Sequence, residues 1–229
     1  MDGTTAHAID LSTFEFPAFP DGIQSRPTVL IAAPFDPTPY AIDLRALCRY
    51  GHAGEPALVV TTTASADVSI EAYETVCSDS DRPSLGIVDT ISARQSMSDP
   101  YRRTPVVYTP APGDLERTVL ALSELTDGRS QSIGTRHLVV RSLTPMIEAT
   151  SSAQVCAILD RISGLRVGSG RCLLGIAYTA HDEETMSALA ERVDGILWVT
   201  EGSENQLTFE FRTTSGRYTR SLSTTGPDG

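Results

Sequence analysis

Apolar residues in this chain fall into short unbroken runs, separated by stretches with helical spacing. Residues 28–33 (TVLIAA) and 56–62 (PALVVTT) carry no polar alternation, the pattern of strands covered on both faces. Residues 85–89 (LGIVD), 105–109 (PVVYT), 137–143 (HLVVRSL) and 171–178 (RCLLGIAY) read as further strands, the third interrupted by a charge. Between them, residues 40–50 set Ile42, Leu44, Ala46 and Leu47 in helical order before Gly51. Ser65 reads as an N-cap for a second helix. A helix from Pro112 to about residue 125 has its face at Leu115, Val119, Leu122 and Leu125. Residues 151–165 (face Val155, Ile158, Leu159 and Ile162) and 182–193 complete the set.

Residues 195–200 and 206–212 form a hairpin, and the second strand alternates as an edge strand does. Strand alternates with helix over most of the chain. This predicts a three-layer α/β domain: a mainly parallel sheet with helices on both faces, closed by a C-terminal antiparallel hairpin. The expected boundaries are an N-terminal arm at 1–26, the α/β domain at 27–213 and a flexible tail at 214–229, with a polar loop at 92–103. Phe14, Phe16 and Phe19 form an apolar island in the arm, which folds back on its own sheet or docks on a neighbour.

The chain has 229 residues, 40% of them hydrophobic, enough for one sizeable core. Its net charge is -11 and its pI about 4.7, which argues against nucleic-acid backbone binding. All 18 basic residues are Arg. Without Lys, no P-loop lysine, Schiff base or receiver-domain lysine is available. Acidic, lysine-free composition is that of a halophilic protein held soluble by carboxylates; a GC-rich genome also produces the Arg bias. Cys48, Cys77, Cys156 and Cys172 lack zinc-ligand spacing, and the last two sit in apolar runs as core residues. No apolar stretch approaches the ~18 residues of a membrane helix, and no signal-peptide pattern opens the chain. A cytoplasmic protein that binds no membrane is expected.

The junction after the first strand is where an α/β protein usually holds phosphate. Here it reads Ala32, Ala33, Pro34, Phe35, Asp36, Pro37, Thr38, Pro39, Tyr40. A phosphate loop needs glycines, a Lys and a Ser or Thr in G-x-x-x-x-G-K-[ST]. This loop has no glycine, three prolines without N–H groups, and an acid at Asp36. Other site patterns also fail. G-x-S-x-G and G-x-G-x-x-G are absent, and Gly168-Ser-Gly precedes a strand rather than a helix. Asp89 ends a strand as a receiver phosphoacceptor would, but the required Lys is missing. His181 with Asp182, Glu183 and Glu184 is explained by capping and the helix dipole. His137 reads as a surface or edge residue, and Trp198 as core.

The order of VLIAAP (29–34), ALVVTTTASADVSIEAYE (57–74), LGIVDT (85–90), TPAPGDLERTVLALSE (109–124), HLVVRSLTPM (137–146) and HDEETMSALAERVDGILWV (181–199) resembles the RecA/KaiC-like ATPase superfamily. More narrowly it is similar to the degenerate KaiC-like proteins of haloarchaea. The resemblance implies a RecA-like P-loop NTPase fold. It also lays three functional positions on the chain, and all three depart from the family. The phosphate loop reads Asp36-Pro37-Thr38, the acidic pair after the second strand falls on Thr62 and Thr63, and the Walker B aspartate falls on Arg141.

These losses remove phosphate contact, activation of the attacking water and magnesium coordination. A pseudo-ATPase is therefore expected, with no catalytic residue, cofactor or metal. It would act in regulation or signalling through a protein partner or a homo-oligomer. The alternatives are a nucleotide or anion sensor without hydrolysis and an ATPase completed by a partner subunit. Arg141 would form an internal ion pair with Asp36 or Asp89, bind an anion, or snorkel to solvent.

Overall fold

In β1 (Thr28–Ala33) successive side chains enter two separate cores: Val29, Ile31 and Ala33 on one side, Leu30 and Ala32 on the other. The same division holds in β2 (Pro56–Thr61), β5 (His137–Val140) and β6 (Cys172–Ala177), whose residues are all buried. Burial on both faces is why these runs lack polar alternation. The computed structural model describes residues 11, 15–77, 82–92, 104–127, 134–202 and 206–214. Phe14, the rest of the arm before residue 15 apart from Leu11, residues 93–103 of the expected polar loop and the tail from 215 lie outside them.

With β3 (Ser84–Asp89), β4 (Val106–Tyr108), β7 (Gly195–Glu201) and β8 (Leu207–Thr213), the sheet runs β4-β3-β2-β5-β6-β1-β7-β8. Every pairing is parallel except β7 with β8, which is antiparallel. Helices α1 (Ile42–Tyr50) and α2 (Ala66–Val76) cover the Val29 face. Helices α3 (Leu115–Asp127), α4 (Thr144–Ala149), α5 (Ser152–Ile162) and α6 (Glu183–Ala190) cover the other. The expected α/β architecture and its closing antiparallel pair are what the structure shows.

Side-chain caps start four helices: Asp114 accepts from Arg117 N at 3.4 Å before α3, and the other three are closer. Ser65 accepts from Val68 N at 3.3 Å, Ser151 from Gln154 N at 3.3 Å and Asp182 from Thr185 N at 2.8 Å. Cys156 and Cys172 are buried thiols; burial pushes Cys172 up to about 12. Cys48 and Cys77 are joined in a disulfide that ties α1 to the end of α2, a pairing the sequence reading did not anticipate.

Two expectations are corrected. The fifth strand ends at Val140 rather than continuing to 143, because the chain turns at Leu143 into α4, with Pro145 in its first turn. His137 is buried, at 1% exposure, and is not a surface residue. It opens a central strand, where Glu55 Oε2 lies 2.9 Å from its Nε2 and Arg171 N donates to its Nδ1 at 3.0 Å. The described part of the arm does fold back on the sheet: Phe19 stacks on Phe209 at 5.5 Å, and Phe16 meets Phe209 edge-on at 5.2 Å.

Candidate functional site

The loop after β1 sits at the C-terminal edge of the parallel strands, where open α/β sheets hold their ligands. Its shape comes from its own residues. Asp36 Oδ1 accepts from Thr38 N at 3.1 Å, closing a turn that leads into a short 3-10 segment, Thr38–Tyr40. Ala41, with φ 50°, is a left-handed joint that swings the chain into α1. Such a conformation costs an alanine about 1 kcal/mol, so the surroundings must hold it.

Four strand exits do so. From the exit of β6, Thr179 Oγ1 donates to Pro34 O at 2.7 Å. From the end of β7, Glu201 hydrogen-bonds Tyr40, whose ring packs on Phe35 at 4.8 Å. Burial and the Glu201 carboxylate together raise the Tyr40 phenol above its usual range. From the exit of β2, Thr63 Oγ1 donates to Thr38 Oγ1 at 2.9 Å, while Thr62 Oγ1 donates to Ser142 O at 2.6 Å. From the exit of β5 comes Arg141.

Arg141 is the largest fully buried side chain among the described residues, at 1% exposure. Its guanidinium is divided among three partners. Nε donates to Asp43 Oδ2 at 3.0 Å, Nη1 to Ser69 Oγ at 2.9 Å and Nη2 to the Thr38 carbonyl at 2.8 Å. It therefore does not snorkel, and its acid is neither Asp36 nor Asp89. Asp36 is engaged in its own turn. Asp89, also buried, accepts from Ala66 N at 2.8 Å, Ile91 N at 3.0 Å and Ser92 N at 2.9 Å, which fastens the start of α2 to the exit of β3.

Gly175 on β6 makes room for this packing. A Cβ there would lie 2.1 Å from Arg141 O and 3.1 Å from Pro37 Cγ. Pro37 of the loop is buried, and the Arg141 side chain reaches the loop at the Thr38 carbonyl.

Asp43 and Ser69 were not singled out from sequence. Asp43 lies in the first turn of α1, where an acid reads as a helix-dipole partner. The signal that distinguishes it is its setting: Asp43 within AIDL and Arg141 within VVRSL are charges inside otherwise buried runs, and they answer one another. The Asp43 carboxylate thus stands at a helix N-terminus against a cation, the arrangement an α/β protein usually offers to a ligand's anion.

The second acidic cluster is structural. Asp182 caps α6, and its hydrogen bonds from Thr185 hold its carboxyl below the usual range. Glu183 and Glu184 occupy the exposed first turn. His181 Nε2 lies 3.1 Å from Thr144 Oγ1, and its burial pushes its pKa down. Trp198 is half-buried, edge-on to Tyr178 at 5.3 Å. Among the described residues there is no group of three or more His, Cys, Asp or Glu placed to hold a metal, and no helix long and apolar enough to cross a membrane.

No family model and no curated protein matches this chain. Among solved structures it is similar to an uncharacterized protein of Pyrococcus horikoshii in complex with an unknown peptide, at TM-score 0.48 and 13% identity over 82% of this chain and 84% of that one. It is also similar to EssC (ATPases 2 and 3) of Geobacillus thermodenitrificans, at TM-score 0.36 and 12% identity over 80% of this chain and 31% of that one. Likenesses this distant carry no function. The class is set by the sheet itself: an α/β protein, seven strands parallel and one antiparallel, whose β1–α1 loop is held from within by a buried arginine.

Proposed function

We propose that this chain is a RecA/KaiC-like domain that has lost ATP hydrolysis and acts in regulation or signalling through protein–protein contact. One observation carries the reading. The cation at the exit of β5, where the resemblance places a metal-binding aspartate, is consumed by Asp43, Ser69 and the Thr38 carbonyl at 3.0 Å or less. A phosphate arriving at this loop would find no lysine and few N–H groups. The arginine beneath it already neutralises the chain's own carboxylate. Thr62 and Thr63, at the positions of the acidic pair, are spent on Ser142 and Thr38. The halophilic reading rests on composition, the archaeal one on the resemblance and the cytoplasmic one on the lack of a membrane-helix or signal-peptide pattern in the sequence; all three belong to the same proposal.

Calorimetric titration with ATP, ADP and GTP plus magnesium, in molar KCl, tests it. The expected result is no heat at millimolar ligand and an unchanged melting temperature, since only a ligand that binds the folded state raises it. Saturable binding that disappears in Arg141→Ala would replace this reading with that of a nucleotide sensor. Turnover that appears only with a second protein would replace it with a split ATPase.

A further inference from the structure

The sheet has two edges, and they differ. Strand β4 is three residues long, short enough to offer a partner little. Strand β8 is seven residues long, Leu207–Thr213, and pairs with β7 in an unbroken register from Gly195↔Thr213 to Glu201↔Leu207. It contains no proline or bulge, two of the devices that protect an edge, and its two charges, Glu210 and Arg212, are of opposite sign. Its inner face is seated by the chain's own residues. Phe209 packs against Phe16 and Phe19, and the Phe211 ring lies where a Cβ on Gly22 or Gly195 would meet it at 2.7 and 2.3 Å. Among the described residues, no strand pairs with its outer backbone edge.

The hydrogen-bond phase is fixed. Gly202 N donates to Gln206 O at 2.6 Å and Thr214 N to Asp194 O at 3.2 Å, so even-numbered residues of this strand face β7. In an antiparallel ladder the alternate residues then point their N–H and C=O groups the other way. Those residues are 207, 209, 211 and 213. On the exposed sheet face, Arg212 Nε and Nη2 hold Glu210 Oε1 and Oε2 at 2.9 and 3.0 Å.

We propose that two copies of this chain pair antiparallel through β8, with Phe211 opposite its counterpart, to make one continuous sheet across a twofold axis. This register makes Phe211 a hydrogen-bonded pair, as its outward backbone groups require. It also makes Glu210 and the other copy's Arg212 a non-hydrogen-bonded pair, in which facing side chains come closest. Two such pairs form by symmetry. The neighbouring registers of the same phase set Glu210 against Glu210 or Arg212 against Arg212, so charge selects the register. The interface depends on edge geometry and not on the state of the β1–α1 loop.

Sedimentation velocity and light scattering on the full chain test the proposal, in about 0.2 M KCl, where charges a few ångströms apart still act on one another. At tens of micromolar the expected mass is twice the 24.5 kDa chain. Glu210→Arg and Arg212→Glu each place like charges opposite one another and each run as a monomer. Mixed in equal amounts, the two variants form a heterodimer. Thr213→Pro removes an outward N–H while leaving the β7 ladder intact, and is a monomer as well. Near-UV circular dichroism confirms that each variant is folded. A monomeric wild type, single reversals that still dimerise, or a mixture that stays monomeric overturns the pairing. None of these results touches the pseudo-ATPase reading, which the nucleotide titration decides separately.

Discussion

Arg141→Met keeps most of the side chain's length and removes its charge and its three hydrogen bonds. Asp43, 3% exposed, is then left as a buried carboxylate without its cation. Removing one member of a buried pair costs about 3–5 kcal/mol. The N-terminus of α1 offsets up to about 1 kcal/mol of that. Loss of the donors to Thr38 O and Ser69 Oγ adds about 1 kcal/mol each. The net is about 4–6 kcal/mol, against a total stability of about 5–15 kcal/mol for a protein domain.

Asp43→Leu leaves the guanidinium unpaired and costs about 3–5 kcal/mol. The double variant removes both charges together and costs only about 2–3 kcal/mol, because a buried pair replaced by apolar residues is close to neutral and only the Thr38 and Ser69 bonds remain lost. The cycle therefore closes with a coupling of several kcal/mol. Urea unfolding followed by far-UV circular dichroism at constant KCl measures it. With a slope of about 2–3 kcal/mol/M, the Arg141→Met midpoint falls by about 2 M. A cost under about 1 kcal/mol for Arg141→Met, or single costs that add to within about 0.5 kcal/mol in the double variant, would refute the claim that this pair holds the loop.

Three further outcomes are expected. Burial pushes the His137 pKa below its ordinary 6.5, the Glu55 hydrogen bond opposing it only in part. The unfolded chain therefore binds more protons than the folded one just below that value, and stability is lost as pH falls through 6.5. His137→Asn, whose side-chain oxygen can still accept from Arg171 N, flattens that slope in pH-dependent urea titrations; the residual slope of the same sign comes from His181. Reducing the Cys48–Cys77 bond, which closes a separation of 29 residues, lowers stability by about 3–4 kcal/mol on the chain-entropy account. Such bonds seldom persist in reducing compartments, so alkylation of protein taken directly from cells, counted by mass spectrometry, tests the cytoplasmic reading at the same time. Gly175→Ala forces the β5 backbone or Pro37 aside and costs about 3 kcal/mol, read as a fall in melting temperature that leaves helix content unchanged.

The sheet was legible because its central strands are covered on both faces. TVLIAA, PALVVTT and CLLGIA are buried along almost their whole length, and their unbroken apolar runs say so. The caps at Ser65 and Asp182 were legible for a local reason, since a cap acts within three residues of itself. What stayed hidden depended on which elements become neighbours. His137 reads as an edge residue until β2 and β6 close on either side of β5. Cys48 and Cys77 look unrelated until α1 and α2 lie side by side. The Leu-Thr-Pro start of α4 was present in the sequence, but the strand pattern running through Arg141 and Leu143 masked it.

Arg141 shows the same limit most sharply. Its position after an apolar run identified it as a strand-end cation, and the local sequence offered Asp36 and Asp89 as partners. Both acids are engaged elsewhere, Asp36 by Thr38 N within its own turn and Asp89 by Ile91 N, Ser92 and the start of α2. That leaves the carboxylate of Asp43, which α1 carries under the β1 exit. Arg141 joins it to the Thr38 carbonyl and to Ser69 of α2, so one side chain at the exit of β5 fastens the β1 loop, α1 and α2 together. A ligand's phosphate would need the same cation and the same helix N-terminus. The chain has placed its own carboxylate there, and drawing Arg141 away from it would leave Asp43 as a buried charge without its cation, a cost of about 3–5 kcal/mol.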